Sequence, residues 1–165
     1  MAEAWLSGPV AGVDRVLMPA AHALIQARAD LDAAARDATP DELWRAPGGA
    51  APAGFHLRHL AGALDRLMTY ARDEPLSERQ RSALAVETSS SGESAAELIA
   101  LAWGAIDAAL EQIRRTPAER VFDARAVGRA QRPATVLGLI FHGAEHTTRH
   151  TGQLITTLKA VRGGA

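Results

Sequence analysis

The sequence predicts an all-α protein, a four-helix bundle with short extra helices in its connections. Three observations predict it. Four long segments repeat apolar residues with a period of 3.6, and Pro- and Gly-rich stretches separate them. Alanine and leucine dominate while β-branched runs are scarce, which favours helix over strand. Aromatic residues are only 4% of the chain, and 165 residues suit one domain, taken as 1–165, with a core of its own.

The first helix is expected over about Val13 to Asp37, with Pro19 near its start either opening or kinking it. In "TPDELW", Thr39 reads as an N-cap, Pro40 as the first helical residue and Glu42 as the partner that closes a capping box. "RAPGGAAPAG", residues 45–54, reads as a loop. From Phe55 to Arg72 the helical period returns, with Leu57, Leu60, Leu64, Leu67 and Met68 on one face. "PLSERQRSALAVE" predicts a short helix capped at Ser77 and ended by "TSSSG". A third long helix is expected over Glu93 to Arg114, with Leu98, Leu101, Ile106, Leu110 and Ile113 facing inward. The stretch "TPAERVFDARAVGRAQR" is a less regular connector, with an extended piece around Val121 and Phe122. The last helix follows Pro133 and runs to about Val161, where Arg162-Gly163-Gly164 stops it. The second-to-third or third-to-fourth connection is long enough for a crossover within an otherwise antiparallel arrangement.

Composition narrows the chemistry. With no cysteine there is no disulfide framework, no thiolate metal site and no cysteine nucleophile. The net charge is −1 and the basic residues are dispersed, which argues against a nucleic-acid partner. Residues 1–25 lack the pattern of a secretory signal, and no apolar run approaches the ~20 residues that span a bilayer. The expectation is a soluble, cytoplasmic protein with no membrane partner.

Three of the six histidines fall in "FHGAEHTTRHTGQL": His142, His146 and His150, each four residues after the last. On a helix such residues stack on one face. The apolar stripe of the last helix comprises Val136, Leu139, Ile140, Gly143, Leu154, Leu158 and Val161. His146 and His150 fall inside that stripe and His142 at its margin. One core-facing histidine is ordinarily a hydrogen-bonded core residue. Two in the same stripe bring polar nitrogens that are costly to bury unsatisfied, and a divalent metal removes that cost. A single H-x-x-x-H needs a third ligand from elsewhere, and "FHLRHLAGALDRL" on the second long helix offers His56 and His59. Periodicity does not choose between them. His22, alone on the first helix, reads as a partly exposed or core-edge residue. A rival motif is "HGAEH", residues 142–146, which matches H-x-x-E-H with Glu145 as a base, although the helical wheel turns Glu145 towards solvent.

Together, "GFHLRHLAGALDRLMTYA" and "FHGAEHTTRHTGQL" resemble the DinB family of DNA-damage-inducible-type proteins, over nearly the whole chain. The resemblance implies a four-helix bundle, often a homodimer, with a divalent metal held by three histidines. The family's second-helix ligand stands directly before an "LAG"-like step, which corresponds to His59. Its other two ligands correspond to His146 and His150, the latter just ahead of "TGQL". His56 and His142 are additions to that pattern, as fourth ligands or as donors behind the ligands. Zinc or nickel is the leading expectation for the ion, with iron and manganese as alternatives. Characterised relatives include metal-dependent transferases that use low-molecular-weight thiols such as bacillithiol, and mycothiol-dependent isomerases. The resemblance therefore implies a metal-dependent transferase or hydrolase acting on a small molecule, in which an open metal position activates a thiol or water. The alternative is a non-catalytic metal-binding or stress-associated module in which the ion braces the bundle. No catalytic side chain is assigned; Glu145 and Asp65 are weak candidates for a base.

Overall fold

The computed structural model describes residues 3–89 and 92–163, and the chain is predominantly helical. Helix α1 (Met18–Ala35) begins at Met18 rather than at Val13, with Pro19 in its first turn, where a proline's missing N–H has no partner to lose. Short α2 (Pro40–Trp44) carries the expected capping box between Thr39 and Glu42. Helix α3 (Ala53–Ala71) follows a 3₁₀ turn at Pro47–Gly49 in the Pro/Gly-rich loop. Short α4 (Glu78–Ala85) is capped by Ser77, and α5 (Ala95–Arg115) by Ser94, two residues after the start expected from the apolar period. Helix α6 (Val136–Gly163) completes the chain.

The connector before α6 departs from expectation. Its extended residues are not at Val121 and Phe122 but form two strands, β1 (Ala124–Val127) and β2 (Arg132–Thr135), paired antiparallel with Ala124 opposite Thr135. Pro133 sits in β2 opposite Ala126 and, lacking an N–H, donates nothing to the ladder. Gly128, with φ +67°, makes the turn.

Four long helices enclose the core. Helix α3 packs on α5 and α6, and α1 packs on the same two. Leu24, Leu31, Leu57, Leu60, Leu64, Ile106, Ile113, Ile140 and Leu154 are fully buried among them. Leu101 is a correction: it is half exposed, and Ile99, Ala102 and Ala109 fill the inward face of α5 instead. Paired contacts fix the directions. His56 meets His150 and Leu64 meets Gly143, so α3 and α6 run antiparallel. Arg58 pairs with Glu93 and Met68 with Gln112, so α3 and α5 run the same way and the connection that carries α4 is a crossover. No described helix is long and apolar enough to cross a membrane.

Candidate metal centre

The seam between α3 and α6 is tight where it needs to be. A Cβ on Gly143 would lie 3.0 Å from Leu64 Cδ1 and 3.1 Å from Met68 Cε, so glycine there lets the two backbones approach. One turn further along α6, His146 faces His59 of α3, and His150 follows a turn later. Among the described residues these three form the group able to hold a metal ion, with one donor atom from each lying within 4.8 Å of the others. All three residues are half-buried at the seam.

The donor set fits an ion. His59 Nε2 and His146 Nε2 are 3.0 Å apart. Two imidazole nitrogens, each ~2.0–2.1 Å from one metal and in adjacent coordination positions, stand roughly 3 Å apart. Without a metal the contact is satisfied only if one ring donates to the lone pair of the other. His146 Nδ1 is buried with no hydrogen-bond partner among the described residues, so its proton rests at lower cost on Nε2, facing His59.

Two of the rings are backed by polar groups. His59 Nδ1–H donates to Glu87 Oε2 at 2.7 Å, and Arg66 Nη1 donates to the other oxygen of that carboxylate at 2.5 Å. His150 Nδ1 lies 2.9 Å from Nδ1 of His56, one ring donating to the other. Phe55 stacks on His59 with 5.1 Å between centroids and presents its edge to His56 and His150. His56 thus stands behind His150, buried on α3.

Burial and neighbouring charges favour the neutral forms of His150, His146 and His56. Burial, then the charges of His146, His59, His56 and Arg149, pull His150 down to about 4. Burial, followed by His59, His142 and Arg149, lowers His146, with Glu145 opposing. Burial and His59 lower His56, against a backbone hydrogen bond to Ala51. Neutral imidazoles carry the lone pair a metal requires. Burial pushes the Glu87 carboxyl up, but its hydrogen bonds to His59 and Arg66 outweigh this, and it lies below the usual range.

The remaining candidates fall elsewhere. His142 is exposed and lies 3.5 Å from Glu145 rather than in the cluster. Glu145 is gripped by Arg149 at 2.5–2.9 Å, which holds its carboxyl below the usual range. The first histidine and the glutamate of the H-x-x-E-H pattern therefore pair with one another rather than joining the three converging rings. His22 Nε2–H donates to the Gly8 carbonyl at 2.9 Å and ties the N-terminal segment to α1. Asp65 accepts from Gln80 at 2.9 Å on the α4 side of α3.

A family model described as the DinB superfamily matches residues 23–154, most of the chain, from α1 through the paired histidines of α6. The chain belongs to the DinB superfamily. No curated protein matches it. A helical DinB-like protein with three histidines placed to hold a metal ion is what the match and the geometry together support. Glu87 is the DinB-chain residue that sequence reasoning missed. Its only trace is Gly62 within α3, flanked four residues either side by Arg58 and Arg66, a glycine whose open space the carboxylate uses.

Proposed function

We propose that the chain is a single four-helix-bundle domain in which His59, His146 and His150 hold one divalent ion, zinc or nickel before iron or manganese, and that it is a metal-dependent transferase or hydrolase. The observation that carries this reading is the convergence of three half-buried imidazoles at the seam between α3 and α6, with His146 and His150 held towards their neutral forms. Three histidines leave coordination positions free, as catalytic rather than closed structural sites do. Bound there, the ion would supply Lewis acidity and lower the pKa of a thiol or water. The protein's part is to present His146 and His150 in their neutral forms and to frame the approach. A cleft of about 680 Å³ opens beside His142, one turn of α6 from His146, and is walled by Leu67, Leu139, Val127, Pro133 and Ala134. That apolar wall suits the body of a small molecule whose thiol or other donor end reaches the ion. A partner of that size, rather than nucleic acid, is the proposed substrate, and a second copy of the chain the proposed protein partner.

The second reading, a metal that only braces the helices, draws on His56. Its ring is buried within reach of His150 and would become a fourth donor if the two exchanged contacts. Elemental analysis of purified protein should give about one divalent ion per chain. Single alanine substitutions of His59, His146 or His150 should lower it, while H142A and E145A should leave it unchanged. Retention of the ion at the same stoichiometry by the triple alanine variant refutes the site. Cobalt-substituted protein then separates the readings: a small thiol should add a sulfur-to-metal absorption band, and its absence with H56A-sensitive four-coordinate cobalt favours the brace.

A further inference from the structure

The residues behind His59 form a device that a metal site alone does not require. Glu87 lies 28 positions away in the sequence, in the crossover between α3 and α5, yet its carboxylate is buried against α3. Three residues of α3 spaced by four bring it there. Arg58 donates to the carbonyls of Val86 and Ser89 and pairs with Glu93, pinning the crossover on both sides of Glu87. Gly62 leaves the path open: a Cβ there would lie 2.5 Å from Glu87 Oε1 and 2.8 Å from Arg66 Nη1. Arg66 holds the second carboxylate oxygen. The carboxylate is thus aimed at His59 Nδ1.

A neutral imidazole has one ring proton, and the nitrogen that lacks it is the ligand. A carboxylate at Nδ1 keeps the proton there and turns the Nε2 lone pair towards His146. We propose that Glu87 is a positioning residue of the metal site: it fixes the tautomer and orientation of His59, and through it the α3–α5 crossover is coupled to metal binding. The inference rests on the metal reading above. A merely structural Glu87 would tie the crossover to Arg66 and Arg58 and leave the His59 proton and the ion indifferent to its loss.

The test uses the full-length chain and three variants, E87A, E87Q and G62A. G62A alters neither ligand nor carboxylate. It meets only the far ends of two flexible side chains, and alanine favours helix, so the fold should persist by circular dichroism. Imidazole ¹H–¹⁵N correlation spectra of the metal-free protein report the His59 tautomer, and competition with a chelator reports zinc affinity. The wild type should show His59 protonated on Nδ1. E87A should lose that preference and bind zinc about 10- to 100-fold more weakly. E87Q, which keeps an acceptor oxygen without the charge, should fall between. G62A should follow E87A. Zinc affinity within twofold of wild type in folded E87A and G62A, or His59 protonated on Nε2 in the wild type, overturns the role of Glu87. Failure of the wild type to bind zinc at all overturns the metal reading, and with it the coupling to the crossover.

Discussion

Acidifying the metal-free protein should weaken the fold through His150. An unfolded His150 takes up a proton near its ordinary value of 6.5, whereas in the folded chain it does so only at about 4. Burial is the main cause, and His146, His59, His56 and Arg149 all face the ring and add to it. Between those two pH values the unfolded chain binds more protons, so stability rises with pH across that window and is lost on acidification. Above the unfolded value both states are neutral and the ring contributes nothing. About two and a half pH units at ~1.36 kcal/mol each set a ceiling of ~3.4 kcal/mol for a fully buried ring. The ring is only half-buried, and solvent screening reduces this to about 1–2 kcal/mol. For a chain of this size that is roughly 3–6 °C in Tm. Urea unfolding of EDTA-treated protein, followed by circular dichroism between pH 7.5 and 5, covers about three fifths of that window and should show roughly 0.6–1.2 kcal/mol of it. That range stays above the titration of Glu42, Glu87, Glu97 and Glu145, whose depressed carboxyls stabilise at higher pH and are lost below ~4.5. His56 and His146 are shifted in the same direction as His150, so H150Q should show a shallower slope rather than a flat one. A wild-type stability that stays constant from pH 7.5 to 5, or a slope unchanged in H150Q, would refute the reasoning.

Two glycines of α6 should respond oppositely to alanine. G152A meets nothing within 4 Å and should gain about 0.5–1 kcal/mol from helix propensity, whereas G143A presses on Leu64 and Met68 and should end about 1–3 kcal/mol below it; equal urea midpoints would show that the seam is loose. Sedimentation at micromolar concentration should give a dimer through the apolar residues exposed near α1 and α6, Trp5, Leu6 and Phe141, and F141E should shift it towards monomer. A clean wild-type monomer would refute that interface.

What could be read beforehand follows the range of the interaction responsible. The helices were legible because their signals are local: the capping box at Thr39, the cap at Ser77 and the apolar stripe of α6 need no partner to be recognised. Thr147 and Thr151 are buried in that stripe although polar, since each hydroxyl donates to the carbonyl four residues back. The ribbon at 124–135 was not legible. Its strands are four residues each, too short to show an alternating pattern, and Pro133 resembles the approach to a helix. The choice between His56 and His59 depends on how α3 is rotated against α6, which no periodicity within α3 contains. Packing turns His59 to the converging cluster and His56 to the back of His150. Glu87 is the extreme case, since neither its neighbours nor its spacing mark it. Its position results from Arg58 and Arg66 reaching across to a crossover whose path is a property of the assembled helices. Yet the space it occupies was written into α3 as Gly62, a costly residue for a helix interior. Gly104 and Gly152 are equally interior to helices and meet nothing, so only the folded chain says that a carboxylate bound for His59 passes over Gly62.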